Sequence, residues 1–462
     1  MKGMKNLTLE AVASACSGQY TGSENDKYIE LKGVVTDSRQ VEEGYLFIPV
    51  KGERVDGHDF IPRVFEQGAA AVLSERPLKD CPGPYILVES SLQALKDIAA
   101  FYRRQLTIPV IGITGSVGKT STKEMIASVL SVQYEVLKTA GNFNNEIGLP
   151  LTILRIRDNH QAAVVEMGIS DFGEMHRLAE IARPDVCVIT NIGTCHLEKL
   201  GDRDGVLRAK TEVFDHLPKG AAVALNGDDD KLATVAEAGG SRPVFYGRGA
   251  GNAIYLTDTE NLGLKGTRGI LHTPQGEISI TVPIPGEHNL YNAMAASAVG
   301  LHLGLTLPQV QEGIGKARTI GGRSNLIEAN GLLIIDDCYN ANPMSMKASL
   351  DVLHYGLGRR MAILGDMGEL GAEERQLHYE VGAYAAQAGI DLLVCVGTLA
   401  AEIERGARDC QGNGDSPLEL CYYPTKQQLL QALPEIVKKG DTILVKASHF
   451  MEFPEIVEQL QK

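Results

Sequence analysis

The stretch VIGITGSVGKTSTKEMIASVL, residues 110–130, decides the fold. It opens on VIGIT, the kind of short apolar run expected of a strand buried on both faces of a parallel sheet. A glycine turn follows, and from Lys119 onward the apolar residues recur at helical spacing. Strand, glycine turn and helix opening on Lys-Thr together form the setting a phosphate loop requires. Gly115, Ser116, Val117 and Gly118 can turn backbone N–H groups toward phosphate, and Ser121 completes the loop. Lys119 can reach the terminal phosphates of ATP, and the Thr120 hydroxyl can hold Mg2+. Ile113 stands where the usual eight-residue pattern begins with glycine. A plain strand-to-helix turn would account for the glycines but not for the lysine and threonine behind them.

Working outward, QAAVVEMG (161–168) and PDVCVITNIG (184–193) are further buried strands of one central, mostly parallel sheet flanked by helices. A magnesium nucleotide site needs a second oxygen ligand, commonly a carboxylate at a neighbouring strand end, and Glu166 is the candidate. The alternative for one isolated glutamate is a solvated strand end. His196, past the end of the next buried strand, faces the same crevice, either as a ligand or as a hydrogen-bonded structural histidine. Lys210, in GVLRAKTEVF (205–214) with Glu212 nearby, reads by itself as a surface lysine on a helix. The glycines of FYGRGAG (245–251) imitate a dinucleotide fingerprint, but no helical pattern follows and a turn is expected.

The 462 residues exceed one ordinary hydrophobic core and favour about three domains. Ahead of residue 108 lie short β-branched strands and a helix, a small α/β domain. Residues 253–285 alternate like antiparallel strands, and PGEHNLYNAMAASAVGLHLG (285–304) is a helix. Beyond ARTIGGRSNL (317–326), the runs GLLIIDD, RMAILGD, DLLVCVG, LELCYY and DTILVKA alternate with helical stretches as a doubly wound, Rossmann-like domain does. The expected division is 1–107, 108–322 and 323–462.

Composition excludes several classes. A net charge of -14 argues against a nucleic-acid partner, whose backbone is held by clustered Lys and Arg. No apolar run approaches the ~20 residues of a membrane helix. The opening MKGMKNLTLEAVASACSG reads as an amphipathic helix rather than a cleavable signal. Eight scattered cysteines without a CxxC pair suit reduced thiols, so a cytoplasmic enzyme is expected.

Taken together, TDSR (36–39), TGSVGKTS (114–121), TAGNFNNEIGLPLTIL (139–154), ARPDVCVITNIGTCHLEKLG (182–201), RAKTEVF (208–214), PGEHNLYNAMAA (285–296), DDCYNANPMSM (336–346) and LGDMGELG (364–371) resemble the Mur ligases over almost the whole chain. These ATP-dependent enzymes add amino acids to the peptide stem of bacterial cell-wall precursors. The resemblance is strongest to the members that join D-Ala-D-Ala to UDP-MurNAc-tripeptide. It implies two Mg2+ ions, with Glu166 and His196 as ligands and Lys210 N-carboxylated so that its carbamate helps hold the second. It also implies Asn289 and Asn292 near the nucleotide, Arg323 at its phosphates and Asp337 near its ribose. Lys119, Lys210 and Arg323 would then carry the catalysis. Ser38 and Arg39 fall in the domain that holds the uridine diphosphate end, and Asn142 and Asn145 would bind the same substrate. Lys446 and Ser448 would lie on the dipeptide side, although His449 stands where the family commonly has arginine. A monomer without membrane insertion is expected. Rival readings are the preceding ligase, which adds the third stem residue, and a folylpolyglutamate synthase. The Asp-Asn-Pro-Arg motif of diaminopimelate-adding members is missing from the sequence.

Overall fold

A computed structural model describes residues 3–52, 55–411 and 418–462. Among the described residues there are four sheets, three of them the α/β sheets of successive domains and the other a small antiparallel one. In the first, the strands lie in the order Gln19–Thr21, Tyr85–Leu87, Ala71–Ser74, Tyr45–Phe47 and Gly33–Val35, parallel except for the first. The central sheet is wholly parallel, in the order Val244–Tyr246, Ala222–Asn226, Val186–Ile189, Val110–Thr114, Ala162–Glu166 and Val136–Lys138. The sheet of the third domain runs Asn325–Ala329, Leu332–Asp336, Thr442–Lys446, Arg360–Gly365, Leu392–Val396 and Glu419–Tyr423. Its edge strand Asn325–Ala329 is antiparallel and the rest are parallel. The α/β architecture of three domains agrees with the sequence reading, as does the antiparallel meander of Tyr255–Asn261, Thr267–Thr273 and Gly276–Val282.

Both faces of the central sheet are covered. On one side the helices Lys119–Leu130 and His288–His302 close over Ile111, Ile113 and Val188. On the other, Ala163, Val165, Cys187 and Ile189 belong to a core shared with the first domain. The helix Ser91–Gln105 makes that continuity, sending the Tyr102 hydroxyl to the carbonyl of Ile156 at 2.8 Å and Arg103 Nε to that of Ala182 at 2.7 Å. Arg103 also pairs with Asp185 at 2.8 Å, so the buried guanidinium keeps a partner.

Two local expectations differ. The opening helix is only Leu9–Ala15, because Thr8 caps it, its Oγ1 accepting from the N–H of Ala11 at 3.2 Å. Met4 and Leu7, ahead of the cap, are buried without being helical. The edge strand Asn325–Ala329 has no counterpart in the sequence reading; its half-exposed residues lack the continuous apolar run that marks the central strands.

Candidate active site

Strand register places the chemistry. Ile113 pairs with Glu166 on one side and with Val188 on the other, so the phosphate loop, Glu166 and Thr190 leave the sheet at one edge. Ile113 itself is fully buried within the strand, where a side chain is wanted, which explains why glycine is dispensable there. Gly115 and Gly118 are not dispensable. Gly115 has φ +145° and a Cβ there would come within 1.9 Å of Thr190 Oγ1; Gly118 has φ +84° as the N-cap of the helix Lys119–Leu130.

The next strand end clamps the loop. Thr190 Oγ1 and Asn191 Nδ2 donate to the Val117 carbonyl at 2.6 and 2.9 Å, and Val117 N–H donates to Asn191 Oδ1 at 2.9 Å. Ser116 Oγ accepts from the N–H of Gly193 at 2.8 Å. Lys119 folds back onto the Gly115 carbonyl at 2.8 Å. Thr120 donates to Glu166 Oε2 at 3.0 Å, and Asn144 Nδ2 donates to Oε1 at 2.9 Å. The sequence reading selected Asn142 and Asn145 and passed over Asn144 between them, although it stands in the same quoted run. Asn145 Oδ1 accepts from the N–H groups of Ile147 and Gly148 where the helix Gly148–Ile153 begins.

Two cavities flank the loop. One, of about 540 Å³, is lined by Lys119, Asn142, Asn145, Glu166, His196 and Arg323 among others. The second, of about 470 Å³, is lined by Val117, Gly118, Ser121, Asn292, Asp337 and Lys446, and again by Arg323. Arg323 therefore stands in the wall between them. Its guanidinium lies 4.1 Å from the centre of the Tyr339 ring and approaches Thr120 Oγ1 to 3.5 Å. On the second side, Thr122 donates to Asn292 at 2.7 Å and Asn292 to Asn289 at 2.8 Å, which ties the helix His288–His302 to the loop.

Asp337 and Lys446 come from different parts of the sequence and meet here. Lys446 Nζ lies 2.6 Å from Asp337 Oδ2, which also accepts from Ser349 at 2.5 Å. Lys446 thus borders the cavity of Asn292 and Gly118. Ser448 Oγ accepts from the N–H of Gly368 at 2.9 Å and so holds the loop of LGDMGELG. Ser38 and Arg39 sit on the short turn Ser38–Gln40 of the first domain, where exposed Arg39 pairs with Asp37 at 2.8 Å. Neither lines the two cavities beside the loop.

Lys210 is not a surface lysine. It is 1% exposed on the helix Arg203–Thr211, and among the described residues its ammonium has no ion-pair or hydrogen-bond partner within the protein. Burial, helped by the charge of Lys119, pushes its ammonium down to about 8. Val206, Ala209 and Val213 are also buried, so the stripe in GVLRAKTEVF that carries Lys210 inward was present in the sequence. Glu212 does not serve Lys210; its carboxylate accepts from the N–H of Gly173 at 3.0 Å, at the start of the helix Glu174–Ala182. His196 Nδ1 lies 2.9 Å from Glu369 Oε2 of the third domain, a partner the sequence reading did not find. That contact holds the Glu369 carboxyl below the usual carboxylate range.

The donor set fits Mg2+. Among the described residues no group of three or more His, Cys, Asp and Glu is gathered, as a cage for zinc or calcium would need. A hydroxyl touching one carboxylate on a phosphate loop is instead the sparse protein contribution that magnesium accepts when phosphates and water supply the remainder.

Comparison with known proteins agrees along the chain. Family profiles match in order: Mur ligase family, catalytic domain, over residues 30–103; Mur ligase middle domain over 113–300; and Mur ligase, glutamate ligase domain, over 322–449. The chain is 41% identical to the UDP-N-acetylmuramoyl-tripeptide--D-alanyl-D-alanine ligase of Bacillus subtilis (strain 168), covering 99% of both. The crystal structure of MurF from Acinetobacter baumannii superposes with a TM-score of 0.89 at 34% identity, over 100% of both chains. MurF ligase from Thermotoga maritima, in complex with ADP, gives 0.81 at 30% identity, over 93% of this chain and 97% of that one. Among the described residues no helix is long and apolar enough to cross a membrane. On this similarity and on the fold, the chain belongs to the Mur ligase family.

Proposed function

We propose that the chain joins D-Ala-D-Ala to the terminal carboxylate of UDP-MurNAc-tripeptide at the expense of ATP, for bacterial peptidoglycan synthesis, as a cytoplasmic monomer of three domains divided at 107/108 and 322/323. Its relatives at 41% and 36% identity over 99% of the chain carry the name of that reaction. The observation that carries the mechanism is the shared wall. A phosphate loop and Arg323 separate a cavity bearing Asn292 and Asp337 from one bearing Glu166 and His196. ATP enters from the first, with Asn289 and Asn292 near the nucleotide and Asp337 near its ribose, and the substrate carboxylate waits in the second.

A carboxylate is a poor acyl donor because oxide would have to leave. Its oxygen attacks the γ-phosphorus, the bond to ADP breaks, and an acyl phosphate results. The amine of D-Ala-D-Ala then attacks the acyl carbon, the carbon–oxygen bond to phosphate breaks, and the new amide nitrogen loses a proton. Lys119 and Arg323 neutralise the charge of the transferring group, and the backbone N–H groups of the loop orient it. Thr120, Glu166 and His196 would hold one Mg2+, and Lys210, once N-carboxylated, would help hold a second; the ions would add to the charge neutralisation. An uncompensated buried ammonium supports the carbamate, since only the neutral amine adds carbon dioxide and the product carries the opposite charge. Asn142 and Asn145 border the substrate carboxylate, while Ser38 and Arg39 hold the uridine diphosphate end. Ser448 acts on the dipeptide side through the loop it fixes, and Lys446 from the nucleotide side.

Phosphate release tests the reading: D-Ala-D-Ala stimulates it only when UDP-MurNAc-tripeptide is present, and hydrolysis indifferent to both substrates would overturn it. Lys119→Ala abolishes turnover with the fold intact. Lys210→Ala loses ~10³-fold in rate, is not restored by bicarbonate and is partly restored by short carboxylic acids, the loss expected for a metal-supporting group; parental activity in that variant would remove the carbamate.

A further inference from the structure

We propose that His176 and His216 form a surface site for a divalent transition-metal ion of the zinc class, with Asp215 fixing the His176 ring, separate from the magnesium positions at the phosphate loop.

The two rings already stand at chelating distance. Nε2 of His216 and Nε2 of His176 lie 3.1 Å apart in a hydrogen bond, and the ring planes meet at 70° with their centroids 4.3 Å apart. Two nitrogens each ~2.0–2.1 Å from one zinc ion are ~2.9–3.4 Å apart as the angle between them goes from octahedral to tetrahedral. The observed separation falls inside that range. An ion can therefore take the place of the hydrogen that the two nitrogens share, and the rings need to turn rather than to travel.

The tautomers suit this exchange. Asp215 Oδ2 is hydrogen-bonded to His176 Nδ1 at 3.1 Å, and an ionised carboxylate can only accept. The hydrogen of His176 is thus on Nδ1, its Nε2 is a lone pair, and His216 Nε2 is the donor between the rings. When an ion binds, His216 carries its hydrogen on Nδ1 instead, exchanged through solvent. A carboxylate on the nitrogen that does not ligate is a common way of orienting a metal-binding histidine.

The scaffold holds the pair in register. His176 stands on the helix Glu174–Ala182, and His216 closes the short turn Glu212–His216, which continues the helix Arg203–Thr211. Glu212 joins these elements, its carboxylate accepting from the N–H of Gly173 at 3.0 Å and from that of His176 at 3.3 Å. The backbone of one histidine is thus tied to the element that carries the other, so the chelate is preorganised. Solvent reaches it, since the side chains of His176 and Asp215 are 48% and 57% exposed. Exposed Glu180, one turn after His176, adds negative charge to the same helix face. Among the described residues no cage of three or more ligands is gathered, so water completes the coordination. Imidazole nitrogen favours Zn2+, Ni2+ and Cu2+ over Mg2+, which separates this site from the oxygen donors at Glu166. An ion here staples the segment that follows Lys210 to the helix Glu174–Ala182.

The test titrates the full chain with Zn2+ in excess Mg2+ and ADP, by calorimetry, and follows melting as zinc is added. The parent binds one zinc ion more than the His176→Ala/His216→Ala chain, and that ion raises the parental melting temperature alone, as binding to the native state requires. Each single replacement removes the ion, and Asp215→Ala weakens it by ~10–100-fold. In zinc-free buffer the variants melt close to the parent, because the replaced side chains are on the surface. Equal zinc uptake by the parent and the double variant overturns the proposal, as uptake by the half-buried thiols would produce. So does survival of the ion in either single variant, or Asp215→Ala binding zinc like the parent.

Discussion

Lys210 and Lys446 are buried to nearly the same degree, 1% and 2% exposed, one in the central domain and one in the third. Their electrical circumstances are opposite. Lys446, at the end of the strand Thr442–Lys446, has Asp337 at 2.6 Å and the Asn340 carbonyl at 3.1 Å, so its charge is paired and its hydrogens are used. Lys210 has burial without a partner, and its ammonium is pushed down to about 8. A buried ammonium survives either by pairing or by changing its chemistry. The third domain uses the first solution, which fixes a charged wall beside the Asn292 and Gly118 cavity. In the central domain the ammonium has no such partner, and its affinity for the proton falls instead.

Breaking the paired member should have the larger effect on stability. Lys446→Met leaves the Asp337 carboxylate buried beside Ser349 without its cation, and a loss of about 3–5 kcal/mol is expected from denaturant unfolding. Adding Asp337→Leu to the same chain should recover most of it, because the cost lies in the orphaned charge and not in the missing bond. A double variant as unstable as the single one would mean that the two lysines do not differ in the manner described.

The unpaired member should respond with the opposite sign. Lys210→Met removes a desolvated cation at little cost in volume, so in buffer free of carbon dioxide the variant is more stable than the parent at pH 7. The displacement from 10.5 to about 8 corresponds to about 3 kcal/mol. Below pH 8 the folded and unfolded parent both hold the proton and the penalty is complete. Between pH 8 and 10.5 the unfolded chain binds more protons than the folded one, so parental stability climbs with pH. Melting curves across that interval should therefore show the advantage of the variant shrinking toward zero; a difference independent of pH would place its origin in packing instead.

The contrast also marks what a sequence can disclose. Strand, glycine turn and the Lys-Thr pair are local, and 110–130 delivered the helix Lys119–Leu130 and the strand before it without error. The five parallel strands of the third domain were equally legible as apolar runs. Glu166 is legible because a magnesium nucleotide site commonly takes a carboxylate at a neighbouring strand end, and its strand does end beside the loop, with Thr120 donating to it. What stayed hidden depends on the meeting of distant segments. Asp337 and Lys446 stand 109 residues apart, and no spacing announces their bond. Glu369 looks like any solvated glutamate in a glycine-bounded loop until the domains are docked. Lys210 was intermediate: its apolar stripe was visible, but a single lysine on a helix is outvoted by the many that face water.

The smallest effect belongs to the residue that joins the two regions. Arg323 spans the wall between the cavities, and Tyr339, from the third domain, lies under its guanidinium at 4.1 Å. Such a cation–π contact at a partly solvated site stabilises by about 0.5–1 kcal/mol. Tyr339→Leu should accordingly leave melting almost unchanged while loosening the guanidinium, and under the proposed role of Arg323 in phosphoryl transfer the expected loss is about 2–5-fold in kcat with KM for ATP little altered. Tyr339→Phe, which keeps the ring face, should behave as the parent. If instead both variants raised KM for ATP equally, Arg323 would belong to ground-state nucleotide binding in one cavity, and the wall would not be the place where the two domains cooperate.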